Sequence, residues 1–246
     1  MTHESLFDYI FANIEISSDA KVLDVGCGSA ATLIAIKERF GLSDELIGVD
    51  KRPNNFESKE VCEKNGVKLL EMDAAEHLAF DDEIFDFIFH KDMLECVKDI
   101  DAHILELHRV LKKGGTIICV HRDWESIAFN GGDKKLINKV IYEYANFLQS
   151  NWMDACDGWM GRRIFGRFNK TGLFDGEAGL YNQVETEFAD GKWGYSYMKR
   201  MEDFISKNGF LSKAEYDSLL ADLEATYKAG EYICANPFYV YIGKKL

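Results

Sequence analysis

Apolar residues in the first half of the chain recur in two alternating patterns, one typical of buried strands and one typical of amphipathic helices. Short, nearly continuous apolar runs predict five strands: Lys21–Val25, Leu46–Asp50, Val67–Met72, Ile84–His90 and Thr116–Val120. Apolar residues at helical spacing predict four helices: Leu6–Ile14, Ala30–Phe40, Asn54–Lys64 and Ile100–Leu111. Repeated strand–helix units of this length predict an α/β fold with a doubly wound parallel sheet and helices on both faces.

The second half of the chain breaks this rhythm. Its pattern predicts four helices, over Lys134–Trp152, Gly158–Thr171, Tyr195–Lys207 and Ser212–Ala229, and two strands, over Gly179–Ala189 and Phe238–Ile242. Because no flexible linker separates the halves, we predict one domain over residues 1–246. Within it we expect a ligand-binding core at 18–122, a helical insertion or lid at 124–172 over the carboxyl edge of the sheet, and a C-terminal part at 173–246 that completes the sheet.

A glycine turn follows the first predicted strand, in the segment VLDVGCGSA of residues 22–30. Glycine is favoured where φ is positive or where a ligand must touch the backbone, and Gly26 and Gly28 stand between a strand and a helix. Asp50 ends the next strand, where an acid can bind a ribose hydroxyl pair. With Ala31, the turn also fits the dinucleotide fingerprint, so an NAD-dependent oxidoreductase is one alternative.

Two further acids indicate a different nucleoside. Asp24 lies in the first strand, two residues before Gly26, where its carboxylate would repel a pyrophosphate and attract an amine or sulfonium group. Asp73 ends the third strand, and its carboxylate could accept a hydrogen bond from an adenine amino group. The same residue is also typical of a helix N-cap.

The ordered motifs resemble those of the class I S-adenosylmethionine-dependent methyltransferases, in particular the small-molecule group that includes the ubiquinone and menaquinone type. The resemblance rests on five segments: 22–30, 48–50, 72–74, 85–95 and 107–115. It implies a Rossmann-like sheet of seven strands with the last antiparallel, S-adenosyl-L-methionine as cofactor, and methyl transfer to a small molecule. The cofactor-binding residues that it implies are Asp24, Gly26, Cys27, Gly28, Asp50, Lys51, Asp73, Ala74 and His90. A non-catalytic module that binds S-adenosylmethionine or S-adenosylhomocysteine shares these residues and remains an alternative.

Candidate residues for the acceptor follow the fifth strand, at the carboxyl edge where ligands bind in such sheets. His121 and Asp123 are the candidate catalytic residues, because a nucleophile that must lose a proton needs a base. Trp124 and Arg163 are candidate substrate-binding residues. Four aromatic side chains are candidates for a lid: Trp152, Trp159, Phe165 and Phe168.

Composition narrows the possible partners. The formal charge is -13 and the pI is about 4.9, which disfavours nucleic acid and anionic membranes as partners. The chain carries neither an apolar run of membrane-spanning length nor a secretory signal, and its six cysteines lack the spacing of a zinc site, so we predict a cytoplasmic enzyme without metal. With two prolines, it lacks the Asn/Asp-Pro-Pro-Tyr/Phe motif of many macromolecular amino-group methyltransferases.

Overall fold

A computed structural model describes residues 5–43, 46–51, 59–149 and 152–246, and it contains one mixed sheet. Five strands of this sheet are parallel: β1 (Val22–Val25), β2 (Leu46–Asp50), β3 (Val67–Glu71), β4 (Phe85–Lys91) and β5 (Leu111–Arg122). They lie in the order β3-β2-β1-β4-β5. Their apolar runs are largely buried, as helices on both faces require. The predicted parallel, doubly wound core is therefore confirmed.

Three further strands complete the sheet on its antiparallel side: β6 (Ala128–Phe129), β7 (Phe174–Glu185) and β8 (Cys234–Lys245). β8 runs antiparallel to β5 and pairs along its other edge with the whole of β7. The predicted strand at 179–189 overlaps β7, which begins five residues earlier and ends four residues earlier, and the predicted strand at 238–242 lies within the longer β8. The described sheet has eight strands, whereas seven were expected. The additional strand is β6, which has two residues and pairs with β8 beyond the end of β5.

The described residues form eight α-helices: α1 (Leu6–Phe11), α2 (Ala31–Phe40), α3 (Lys59–Lys64), α4 (Ile100–Val110), α5 (Lys134–Ala145), α6 (Met160–Asn169), α7 (Trp193–Asn208) and α8 (Lys213–Lys228). The predicted helix over 54–64 is observed from Lys59, and its residues 54–58 lie outside the described residues. α5 ends at Ala145, seven residues before the predicted end. Ser212 caps the N-terminus of α8 in a capping box, in which its side chain accepts from the Glu215 amide and the Glu215 side chain accepts from the Ser212 amide.

Helices cover the two faces of the sheet differently. On one face, α1 and α2 pack against alternate residues of β1, β4 and β5, including Val22 and Phe89. On the other face, α4 and α6 pack against the residues between these, including Leu23 and Ile88. Since strand side chains alternate, Asp24 belongs to the first face and His90 to the second. In the described residues, no helix is both long and apolar enough to cross a bilayer.

A third apolar cluster joins α5, α7 and α8 to β6 and the start of β8, beyond the carboxyl end of β5. The packing of the helices therefore does not follow the predicted segments, which were a lid at 124–172 and a sheet-completing part at 173–246. α6 lies inside that segment but packs on the sheet through Met160, Ile164 and Phe168, whereas α7 and α8 come from the part expected to complete the sheet. Gly161 permits this approach, because a Cβ atom there would come within 2.8 Å of the Asp123 backbone nitrogen.

Candidate functional site

The glycine turn after β1 has the backbone geometry that its sequence predicts. Gly26 and Gly28 have φ angles of 72° and 51°, in the region that favours glycine. The Gly26 and Cys27 amides donate to the Val49 carbonyl oxygen at 2.9 and 3.1 Å, which ties the turn to β2. A Cβ atom at Gly26 would meet the Met93 side chain at 3.2 Å. The turn therefore exposes backbone at the strand end, where a side chain would obstruct access.

Acidic residues at the ends of β2 and β3 lie beside this turn. Asp50 accepts a hydrogen bond from the Gly28 amide at 3.1 Å through its Oδ2 atom. Lys51 bridges two carboxylates, with its Nζ atom 2.8 Å from Asp73 and 3.0 Å from Asp154. Burial disfavours the ionised form of Asp73, but Lys51 and the Ala75 amide outweigh burial and lower the pKa of Asp73. The Asp73 carboxylate is therefore ionised at neutral pH.

One cavity, the strand-end cavity, opens where these strand ends meet. Its empty space is about 600 Å³ including the part open to solvent, within the range of small-molecule sites. Five of the predicted cofactor residues line it: Gly26, Asp50, Lys51, Asp73 and Ala74. Seven lining residues had no predicted cofactor role: Ala75, Asp92, Met93, Cys96, Val97, Trp152 and Asp154. Asp92 could have been found by the rule that located Asp50 and Asp73, because it directly follows β4 at the same sheet edge.

Asp24 lies behind the strand-end cavity rather than in its wall. It is buried, with 2% of its surface exposed. Burial raises the pKa of Asp24 to about 7, while the charge of Lys91 lowers it and that of Asp50 raises it. Lys91 is itself half-buried, and burial lowers its pKa. Asp24 is thus an acid that changes charge near neutral pH, directly beneath the glycine turn.

Cys27 is also buried, and its Sγ atom occupies the space beside Gly48. A Cβ atom on Gly48 would lie 2.7 Å from this sulfur. Burial raises the pKa of the Cys27 thiol well above its usual range, so the side chain is an uncharged packing group. Cys27 was predicted to bind the cofactor, and this position is compatible only with binding through its backbone in the turn.

His90, which the resemblance implies as a cofactor-binding residue, does not line the strand-end cavity and belongs instead to a buried chain of hydrogen bonds. His103 places its Nδ1 atom 2.6 Å from the Ala74 carbonyl oxygen and its Nε2 atom 3.1 Å from His90 Nε2. A carbonyl can only accept, so His103 donates through Nδ1 and accepts from His90 through Nε2. His90 Nδ1 then accepts from the Cys119 thiol, whose sulfur lies 3.7 Å away. The chain ends on Ala74, which lines the strand-end cavity.

We expect His103→Leu to lower the free energy of unfolding by about 1–3 kcal/mol, because it leaves the Ala74 carbonyl and the His90 N–H buried without partners. Chemical denaturation measures the change. His77→Leu is the matched control, since the His77 side chain is 73% exposed and its loss should change stability little. Equal effects of the two substitutions would contradict this role of His103.

The predicted catalytic pair, His121 and Asp123, is fully buried and already bound to protein groups. His121 donates through Nδ1 to the Arg122 carbonyl at 2.7 Å and accepts through Nε2 from the Glu95 amide at 3.4 Å. Asp123 accepts from the Arg162 backbone at 3.1 Å and from Arg162 Nε at 2.6 Å. In this geometry both side chains are engaged by protein groups rather than exposed to a substrate, and their catalytic role stays a prediction.

The predicted substrate-binding residues lie apart from each other. Trp124 lines a second cavity, the aromatic cavity, together with Glu95, Tyr144, Phe147, Trp152 and Met153. Arg163 is half-exposed on α6, pairs with Asp157 and lies over the Trp159 ring. It lines neither cavity.

Of the four aromatic residues expected in a lid, Trp152 alone lines the two cavities. Phe168 is fully buried on the sheet and stacks on Tyr241 at 4.5 Å. Phe165 is exposed on α6, and Trp159 is exposed at the N-cap of the same helix. The pattern of α6 could not separate these positions, because its apolar stripe meets the sheet and leaves the other aromatic side chains outside.

Comparison with known proteins found a matching family model and similar sequences. Residues 23–119 match a family model described as a methyltransferase domain. The demethylmenaquinone methyltransferase of Staphylococcus saprophyticus is 33% identical over 120 residues, which are 48% of this chain and 51% of that protein. That of Bacillus subtilis is 28% identical over 197 residues, which are 77% of this chain and 83% of that protein. The chain spans about half the length of the staphylococcal relatives that it matches.

Solved structures share the whole fold. The YcgJ protein of Bacillus subtilis superimposes with a TM-score of 0.62 at 17% identity, over 97% of both chains. Phosphoethanolamine N-methyltransferase 2 of Haemonchus contortus, solved with S-adenosyl-L-methionine, superimposes with a TM-score of 0.55 at 19% identity, over 97% of this chain and 56% of that chain. At such identities the similarity concerns the fold, and the predicted α/β architecture is confirmed by it.

Proposed function

We propose that this chain is a class I S-adenosylmethionine-dependent methyltransferase that transfers a methyl group from S-adenosylmethionine to a small-molecule acceptor, because its residues 23–119 match a methyltransferase domain and its relatives are methyltransferases. The family agrees with the resemblance seen in the sequence motifs. It removes the NAD-dependent oxidoreductase alternative, which had rested on the glycine turn and one acid. The substrate named for the relatives, a demethylmenaquinone, belongs to those proteins.

The observation that carries the proposal is the convergence of polar groups from successive strand ends on the strand-end cavity. Gly26 follows β1, Asp50 and Lys51 end β2, and Asp73 and Ala74 follow β3. These groups suit a nucleoside with a ribose, an adenine and a charged amino acid tail. The cavity has the size for such a molecule, and the side-chain-free surface at Gly26 allows close approach to the backbone.

Each residue has a role that follows from its chemistry. Asp50 would accept hydrogen bonds from the ribose hydroxyls, and Asp73 with the Ala74 turn would hold the adenine. The backbone at Gly26 and Gly28 would face the methionine portion, and Asp24 would favour its ammonium group. His90 would contribute by holding the Ala74 turn through His103, rather than by contact.

S-adenosylmethionine supplies an activated methyl group on a sulfonium centre. The protein's contribution is then to bind the two reactants together, align them and exclude water. The helical cluster of α5, α7 and α8 stands beyond the carboxyl end of β5, beside the edge where the cavities open. We propose that this cluster helps to cover the acceptor.

Charge and cysteine chemistry support the remaining parts of the proposal. A net charge of -13 disfavours RNA or DNA as the methyl acceptor, which is compatible with a small-molecule acceptor. All six cysteines are free thiols, as is usual in the reducing cytoplasm. We therefore propose a cytoplasmic enzyme.

Isothermal titration with S-adenosylhomocysteine tests the cofactor site. We expect the wild-type protein to bind it and not NADH. Asp50→Asn should weaken binding about 10- to 100-fold, because hydrogen bonds to a charged group contribute about 1.5–3 kcal/mol. Asp81→Asn, at an exposed position, is the control with the same change of charge. Binding of NADH, or unchanged affinity in Asp50→Asn, would contradict the assignment.

A turnover assay separates an enzyme from a binding module with the same cofactor residues. Incubation of S-adenosylmethionine and the protein with a metabolite extract should give S-adenosylhomocysteine together with a product heavier by one methylene, detected by mass spectrometry. Cofactor binding without any such product would support the non-catalytic alternative.

A further inference from the structure

The aromatic cavity has no role in holding the cofactor as described above. Its empty space is about 350 Å³ including its mouth. Aromatic and thioether side chains form most of its wall, and among the described residues that line it Glu95 supplies the one carboxylate. A carboxylate among aromatic rings is a combination typical of sites for ammonium groups, because ring faces attract cations.

The aromatic cavity adjoins the strand-end cavity. Trp152 lines both of them. The short 3₁₀ helix Leu94–Cys96, which follows β4, also faces both: Cys96 lines the strand-end cavity, and Glu95 lines the aromatic cavity. The two cavities are therefore neighbours with Trp152 in the wall of both, and an acceptor bound beside Trp152 would lie next to a donor in the strand-end cavity.

The electrostatics of the aromatic cavity favour a positive ligand. Glu95 is 7% exposed. Burial and the negative charge of Asp92 raise its pKa well above the usual range, and a hydrogen bond with Trp124 and the charge of Arg122 offset this only in part. A cation beside Glu95 would restore its ionised form, whereas an anionic ligand would raise the pKa of Glu95 further and keep it protonated.

We infer that the aromatic cavity is the acceptor site and that its acceptor is a small amine, bound as a cation between the aromatic rings and the Glu95 carboxylate. The inference deepens the proposed function and rests on it. The net charge of the chain favours the same class, since a negative protein attracts cationic substrates.

The reaction follows with a balanced transfer. The bound ammonium loses a proton to the Glu95 carboxylate, which exposes the nitrogen lone pair. That pair forms the new N–C bond as the S–C bond breaks, and sulfur keeps the bonding electrons. The products are a methylated ammonium and neutral S-adenosylhomocysteine, and Glu95 returns its proton to water.

Binding to the protein saturated with S-adenosylhomocysteine tests the ligand class. The probe is choline, and its uncharged isostere 3,3-dimethylbutan-1-ol has the same shape without the charge. We expect choline to bind at least tenfold more tightly than the isostere in isothermal titration. Equal affinities, or no binding of choline, would overturn the inference.

Two Glu→Gln variants locate the site. Glu95→Gln should weaken choline binding at least tenfold and leave the affinity for S-adenosylhomocysteine unchanged. Glu224→Gln removes the same charge from an exposed position on α8 and should alter neither. An unchanged affinity for choline in Glu95→Gln would overturn the placement of the site.

A turnover screen with primary and secondary amines completes the test. It distinguishes failure of the amine-acceptor inference from failure of the proposed methyltransferase function. An N-methylated product formed with release of S-adenosylhomocysteine supports the inference. Turnover confined to phenols, thiols or carbon acids would overturn the inference while leaving the proposed function intact. Failure to bind S-adenosylhomocysteine at all would instead count against the proposed function.

Discussion

Asp24→Asn should make the ligand-free protein more stable at neutral and alkaline pH, although it removes a charge from behind the strand-end cavity. Asp24 is buried beneath the glycine turn, and burial raises its pKa to about 7. Ionisation of Asp24 therefore opposes folding. The difference between about 7 and the ordinary value of 3.8 corresponds to about 4 kcal/mol. The amide avoids this cost while keeping the shape of the side chain.

The pH dependence has a definite sign. Below about pH 4, Asp24 is protonated in both states and imposes no electrostatic cost. Between about pH 4 and pH 7, it ionises more readily in the unfolded state, so the wild-type protein loses stability relative to the variant. Above about pH 7, the difference levels off. Urea denaturation across this range measures it, and a difference that does not vary with pH would contradict the explanation.

Binding should respond in the opposite direction. If the Asp24 charge attracts the ammonium of S-adenosylmethionine, the wild-type affinity should rise between about pH 5.5 and pH 7, where an α-amino group remains protonated. The affinity of Asp24→Asn should be lower and should stay nearly constant over that range. Isothermal titration checks both statements, with Asp81→Asn as the control. A variant that binds as tightly as the wild type would show that Asp24 does not act on the ligand.

The parallel half of the sheet and its polar ends could be predicted from the sequence because both follow local rules. A strand buried on both faces is a short apolar run, and the residue after such a strand lies at the carboxyl edge whatever the rest of the chain does. Asp50 and Asp73 were located in this way, and Asp92 could have been. The bounds of the antiparallel strands β7 and β8 were predicted less exactly. Their length depends on the pairing of β7 with β8 along its whole length, and the apolar pattern does not show this pairing.

The roles of His121, Asp123 and His90 could not be predicted, because each depends on a partner that is distant in sequence. Arg162 reaches Asp123 from α6, and His103 reaches His90 from α4. The pattern of α6 suits a lid as well as a sheet-packing helix, and only the close approach at Gly161 separates the two. Residue type and position at the sheet edge predicted five residues that line the strand-end cavity, but they did not identify which side chains are bound to distant parts of the chain.

Asp123→Ala should lower the free energy of unfolding by about 3 kcal/mol. Asp123 is fully buried, and Arg162 binds its carboxylate through the backbone nitrogen and the guanidinium. The substitution leaves the Arg162 amide without its partner and a positive charge beside buried backbone, and breaking a buried pair typically costs about 3–5 kcal/mol. We expect the lower end of this range, because the Arg162 side chain is 34% exposed and water can reach it.

The neighbouring pair on the same helix is a matched control for this prediction. Arg163 pairs with Asp157, with 44% and 21% of the two side chains exposed, and we expect Asp157→Ala to cost less than about 1 kcal/mol. Urea denaturation of both variants measures the contrast. Asp123→Asn distinguishes a structural role from a catalytic one: a structural Asp123 requires a loss of stability in this variant as well, since the amide cannot pair with the guanidinium charge. A variant that kept its stability and lost only turnover would restore Asp123 as the base.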